Sequence, residues 1–239
     1  MKEDGPIKPR LRAPSPAPKR APGRPVAGRS AGSGDLRGEL LDAAIACFVR
    51  QGIAATSLRQ IARQAGVTPA LLHYYFGDKA QLQAALVEEK LMPVLAGLRE
   101  PLAEAGDDIA ALVAGFVAGI GRIAVAHPWL PPLWVREVLC EGGALREVLF
   151  DRIGPAVPRM MAQRFAAAQA RGEINPDLDP RLLMVSLVGL TLFPVAGAPI
   201  WRRLFAADEA ALGPVQALDF DALRRHTLAL LDRGLELKP

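Results

Sequence analysis

Two helical patterns of only about two turns each, spanning residues 58–65 and 69–75, are joined by the tripeptide Ala65-Gly66-Val67. Helices this short do not persist alone in water, so they must fold packed on each other and on a neighbour. The first begins at Thr56 or Ser57 as N-cap, sets Leu58, Ile61, Ala62 and Ala65 on one face, and stops at Gly66. The second opens with Thr68-Pro69, a cap followed by proline at the position where a missing N–H is harmless. Small Ala62 lets the two helices cross closely, while Val67 and Leu72 fill the space between them. The pattern predicts a helix-turn-helix. With Leu72 and Phe76 inward at i, i+4, residues Thr68, Pro69, Ala70, Leu71, His73 and Tyr74 face outward, where a second helix of this kind meets the major groove of DNA.

Helical spacing continues on both sides. Leu41, Ala44, Ile45 and Phe48 define a first helix from about Asp35 to Gly52, and Gly77-Asp78 opens a fourth with Leu82, Ala85 and Leu86 that bends or stops near Pro93. Beyond residue 106, Asp107 or Asp108 caps a helix carrying Ile109, Leu112, Val113, Phe116, Val117, Ile120 and Ile123 on one face. Further helices are predicted at about 131–140, 143–152, 155–171, 180–198 and 219–233. No strand-like alternation, hairpin signal or internal repeat is present, so the fold class is all-α.

The segment Leu40–Leu86 resembles the N-terminal domain of the TetR repressor family. The resemblance rests on Thr56-Ser57-Leu58-Arg59-Gln60-Ile61-Ala62, on Ala65-Gly66-Val67-Thr68, and above all on Leu72-His73-Tyr74-Tyr75-Phe76-Gly77-Asp78-Lys79. It implies an N-terminal three-helix reading domain followed by a larger helical part that senses a ligand and dimerises. It also implies roles for single residues. Thr56 and the start of the first short helix would contact a phosphate, and Arg59 a phosphate or base edge. Thr68 would cap and bond a phosphate, while Pro69, Ala70 and Leu71 would approach bases through thymine methyls. His73 replaces the more usual tyrosine of that position, which shortens the reach to phosphate. Tyr74 and Tyr75 would pack and bond at the DNA backbone, and Lys79 would add a cation beside a helix N-terminus.

Charge divides the chain unevenly. Residues 1–34 hold eight Lys and Arg against Glu3 and Asp4, whereas the remainder holds 21 basic and 23 acidic residues. Residues 35–90 carry six of each sign. Non-specific attraction to DNA is therefore expected from the proline-rich first 34 residues, whose composition predicts a disordered arm. Within it, Pro22-Gly23-Arg24-Pro25 resembles the core of an AT-hook, in which Arg24 would enter a narrow minor groove. The expected division is an arm at 1–34, a reading domain at 35–80 and a sensing and dimerisation domain at 81–239.

The larger part offers Phe116, Ile120, Trp129, Leu133, Trp134, Met160, Met161 and Phe165 as pocket or core residues, with His127, Arg136 and Glu137 as polar anchors. Residues 182–201 form an uncharged run of membrane-span length. Pro194, Pro199, Gly189 and Gly197 interrupt it, which favours a buried helix paired with 219–233 in a dimer bundle. Cys47 and Cys140 have no CxxC spacing, and the basic start lacks a secretory leader, so reduced thiols and a cytoplasmic location are expected. His73, His127 and His226 lie far apart, and no nucleotide-binding, hydrolase or metal-ligand motif is present. The residues point to no catalysis, cofactor or metal, and to a palindromic operator and a small-molecule effector as partners. Two alternatives stand beside this reading: an architectural DNA-binding protein driven by the arm, and a membrane-associated regulator.

Overall fold

A computed structural model of the chain describes residues 35–153, 156–206 and 220–235, and these are helices joined by turns, with no strand among them. The arm and Arg24 lie outside the described residues. Helices α1 (Leu36–Gln51), α2 (Leu58–Ala65) and α3 (Pro69–Phe76) are followed by α4, which starts at Lys79–Leu86, passes through a π-helical turn at Val87–Leu91 and continues to Met92–Ala96. Short α5 (Arg99–Glu104) leads into the long α6 (Ile109–Ala126). Helix α7 (Leu130–Trp134) also runs into a π-helical turn, Val135–Leu139, as does α8 (Arg146–Val148), into Leu149–Ile153. Helices α9 (Ala156–Ala170), α10 (Pro180–Ala196), α11 (Ala198–Leu204) and α12 (Phe220–Leu235) complete the order.

The first four helices are fixed largely by local chemistry. Asp35, Ser57, Thr68 and Asp78 each accept a hydrogen bond from a backbone N–H of the helix they open. At α2 the capping is reciprocal, because the Gln60 side chain also accepts from the Ser57 backbone N–H. Ser57 is the cap and Thr56 is not; the Thr56 hydroxyl is buried and donates to the Gly52 carbonyl. Gly66 closes α2 at φ 70°, in the left-handed region, while Val67 N–H returns to the Ala62 carbonyl. No atom crowds its missing Cβ, so conformation rather than space requires glycine there.

The fourth helix, expected to bend or stop near Pro93, carries a wide turn just before that residue and stops at Ala96. Met92 N–H reaches back five residues to Val87, and the helix continues through the proline. Two helices at 99–104 and 198–204 were not predicted; both are short and lack a side-chain cap. The uncharged run at 182–201 is broken where α10 meets α11 at an angle of 65°. Among the described residues one helix, Ile109–Ala126, is long and apolar enough to cross a membrane by length and composition, and half of it is buried inside the fold.

Two apolar clusters organise the described residues. The first joins Leu40, Leu41, Phe48, Ile61, Leu72 and Leu86, and extends through Leu91 to Leu130, Leu133, Val138 and Leu145. The second joins Leu102 with Leu112, Phe116 and Val117 of α6, Met161 and Phe165 of α9, and Leu183, Leu187 and Leu192 of α10. Each fully buried side chain of this size contributes about 1.5–3 kcal/mol. Ile123 and Trp134 touch both clusters. Gly121 admits the Phe220 ring against α6, where any Cβ would collide with it.

Candidate DNA-reading surface and ligand cavity

Helix α3 is inserted by Leu72, which is fully buried, and by Phe76, leaving its other side to solvent. Thr68, Pro69, Ala70, His73 and Tyr74 are exposed, Leu71 is half-buried, and Arg59 projects from the exposed side of α2. Tyr74 is 83% exposed, an unusual state for an aromatic side chain. The His73 ring nitrogen Nδ1 lies 2.5 Å from the Gly77 carbonyl, which fixes the ring over the end of α3.

Other expected contacts are engaged within the fold. Thr56 is 2% exposed, and its hydroxyl also accepts from Gln51 Nε2 at 3.1 Å. Its side chain therefore ties α1 to α2 and is not presented to a phosphate. Half-buried Lys79 donates from Nζ to the Ala54 carbonyl at 3.0 Å, strapping the start of α4 to the α1–α2 loop. Half-buried Tyr75 packs against the first cluster and stands edge-on to Tyr74, with ring centroids 5.5 Å apart.

Arg37 had no predicted role. Its guanidinium donates to the Tyr75 carbonyl at 2.9 Å, pairs with Glu89 at 2.7 Å, and stands 4.5 Å from the Phe76 ring centre. The hydrogen bond to Glu89 raises its pKa further, overcoming the opposing effect of burial. Arg37 therefore pins the end of α3 to α1 and α4. No short-range pattern marks this residue, because its partners lie 38 and 52 residues away.

A cavity of about 410 Å³ opens among the later helices. Met92 and Leu95 of α4, Phe116, Ile120 and Ile123 of α6, Leu130 and Trp134 of α7, and Met184, Val188 and Leu192 of α10 form its walls. Glu88, Arg99 and Arg152 supply its ionic groups. The size lies within the roughly 300–1,000 Å³ typical of small-molecule sites.

Of the pocket residues expected from sequence, Phe116, Ile120 and Trp134 line this space, and the others do not. Met161 and Phe165 are buried in the second cluster, and half-buried Met160 packs against it. Leu133 belongs to the first cluster, and Trp129 packs on that cluster and meets His127 edge-on. The α10 stripe Met184, Val188 and Leu192 was missed, although its i, i+4, i+8 spacing was readable within the uncharged run.

Glu137 requires the largest revision. Expected as a polar pocket anchor, it is 4% exposed and faces the end of α1. One carboxyl oxygen accepts from Ile53 N–H at 2.9 Å, just past the end of α1, and the other from Ala144 N–H at 3.1 Å. Adjacent Arg136 donates to the Val49 carbonyl at 3.2 Å. Neighbouring residues of one short segment thus hold the end of α1, while Trp134, just before them, lines the cavity. Among the described residues no group of three His, Cys, Asp or Glu is placed to hold a metal ion.

A capped helix-turn-helix on an all-helical body with an apolar cavity is an arrangement of known type. Residues 40–86 match the sequence model of the bacterial regulatory proteins of the tetR family. It is 40% identical over 77 residues to the HTH-type transcriptional regulator BetI of Brucella anthropi, covering 32% of this chain and 34% of that one. A longer match, 26% identical over 157 residues, joins it to the regulator UidR of Escherichia coli and covers 65% and 77% of the two chains. The chain spans about a third of the length of the BetI relatives it matches. In fold it is similar to the ketosteroid transcriptional regulator KstR2 of Mycobacterium tuberculosis, with TM-score 0.66 and 21% identity over 89% of this chain and all of that one. It is similar also to FadR of Bacillus subtilis, solved with stearoyl-CoA, with TM-score 0.58 and 20% identity over 84% of this chain and all of that one.

Proposed function

We propose that the chain is an operator-specific transcriptional regulator, a repressor that a small apolar or amphipathic molecule releases from DNA. The observation that carries this reading is the path of α4, which starts at the reading head with Lys79 and contributes Glu88, Met92 and Leu95 to the cavity wall. One helix thus borders both sites. Occupation of the cavity shifts α4 and so changes the spacing of two recognition helices in a dimer. The bound stearoyl-CoA of the FadR structure and the ketosteroid of the KstR2 description support an effector with a large apolar body.

In this reading Arg59, Thr68, His73 and Tyr74 contact phosphates or base edges, and Pro69, Ala70 and Leu71 form an apolar base-facing surface. Lys79 and Tyr75 act beside their structural bonds, and the backbone at the start of α2 takes over the phosphate contact expected of Thr56. The functional division remains an arm to residue 34, a head to residue 80 and a sensing and dimerisation part beyond. The second copy is seated on α10 and α12. Leu182, Val185 and Phe193 are exposed on α10 and Leu230 on α12, and exposed Gly189 meets no atom where a Cβ would stand. A partner copy covers that face and makes α10 buried on both sides. No enzymatic activity is assigned, and the location is cytoplasmic.

Footprinting of the full chain on the DNA flanking its own gene tests the reading. The expected result is protection of a palindrome with half-sites about one helical turn apart. Binding without preference for any palindrome would replace it with the architectural alternative. The basic composition of the arm supports a contribution from residues 1–34, including Arg24, to affinity. Deleting them is expected to flatten the dependence of log K on log salt; an unchanged slope removes the arm from the mechanism.

A further inference from the structure

The cavity joins an apolar interior to an ionic group of defined composition. Phe116, Ile120, Met184, Val188 and Leu192 offer no hydrogen-bonding side chain, so the part of a ligand lying among them must itself be apolar. The ionic groups are two arginines and one acid. Arg152 Nη2 pairs with Glu88 Oε1 at 2.5 Å, and Arg99 has no ion-pair partner among the described residues. Both members of the pair are about half exposed, at 53% and 49%, so the bond is weak and exchangeable.

We propose that the effector is an aliphatic carboxylate whose tail fills the cavity and whose carboxylate displaces Glu88 from Arg152. The inference rests on the ligand-responsive reading above and specifies its chemistry. A carboxylate reproduces for Arg152 the planar two-oxygen acceptor that Glu88 supplies, and Arg99 adds a second cation to the same lining. An alkylammonium would find one acceptor, Glu88, against two like charges, and an alcohol would leave the Glu88–Arg152 pair intact.

The exchange also gives the charge a purpose. Glu88 sits on the π-helical turn of α4 and Arg152 on the turn following α8, so their ion pair clasps the helix that begins at the reading head to another wall of the cavity. A ligand that occupies Arg152 frees Glu88, and the clasp is lost from the bound state only. This difference between states is what an effector needs to shift a population.

The test is calorimetric titration of the full chain, without DNA, with decanoate, decanol and decylamine at concentrations below micelle formation. Decanoate is expected to bind at least about tenfold more tightly than decanol, and decylamine more weakly than either. Arg152→Gln should lower decanoate affinity about tenfold and leave decanol unchanged; Glu88→Gln should raise decanoate affinity, because it removes the competing carboxylate. Both positions are half exposed, so the variants fold, and thermal unfolding verifies this. Equal affinity for the three probes overturns the proposal, as does a decanoate affinity that Arg152→Gln does not change. Because no DNA is present, these outcomes are independent of the footprint. Operator protection with no preference for decanoate would sink the carboxylate while leaving the regulator standing.

Discussion

The helix-turn-helix region and the later helices differ in how regularly their ends are capped. Helices α1 to α4 all begin on a side chain that accepts a backbone N–H, and α1, α2 and α3 all end on a glycine with positive φ, at 52, 66 and 77. Of the later helices, α6 and α10 are capped by Asp108 and Asp179, but α5, α7, α8 and α11 have no side-chain cap, and π-helical turns stand at 87–91, inside α4, and at 135–139 and 149–153. Residues of two of those turns or of their immediate neighbourhood, Glu88, Leu149 and Arg152, line the cavity, and Trp134 directly precedes the third. The head is specified by local bonds. The later part keeps wide turns beside the cavity, in keeping with the frequent occurrence of π-bulges at functional sites.

This contrast is broken or sharpened first by equal truncations in the two regions. Leu72→Ala removes a fully buried side chain from the head, and a loss of about 2–5 kcal/mol is expected. Leu192→Ala removes a side chain that already borders empty space, so it forfeits fewer contacts and should cost only about 1–2 kcal/mol. Urea unfolding of both variants measures the difference. Equal losses would mean that the cavity wall is as tightly packed as the head.

An effect between these two is expected where the two regions meet. Glu137→Ala leaves the N–H groups of Ile53 and Ala144 without their acceptor, and about 2–4 kcal/mol of stability should be lost. The decisive readout is operator affinity measured where the variant remains folded. If Glu137 positions the head through the end of α1, affinity falls even then; if it only stabilises the chain, folded protein binds DNA as before.

The same residue shows where sequence reasoning stops. The turn at Gly66, the caps at Thr68 and Asp78 and the inward pair Leu72 and Phe76 depend on neighbours within a few positions, and their spacing was readable. The later helices were legible as elements from their apolar periodicity, with α5 and α11 missed for lack of caps and length. Glu137 looked like any polar group near an apolar helix, because Ile53 lies 84 residues away. The cavity failed for a related reason. Phe116 and Phe165 are both large apolar residues on central helices, yet packing puts the first against empty space and the second in solid core. Which face borders a void depends on how helices cross, not on the period of either one.

The smallest stability effect belongs to the residue with the clearest expected loss of function. Tyr74 is 83% exposed, and its ring meets only Tyr75 edge-on, so Tyr74→Ala should change unfolding free energy by no more than about 0.5 kcal/mol. An aromatic ring of that exposure on α3 gains little from folding and has its hydroxyl free for a phosphate. Operator affinity should therefore drop severalfold while the denaturation curve overlays that of the parent. A variant that binds DNA normally would remove Tyr74 from the interface. One that unfolds early would show that the exposed side of α3 contributes to stability.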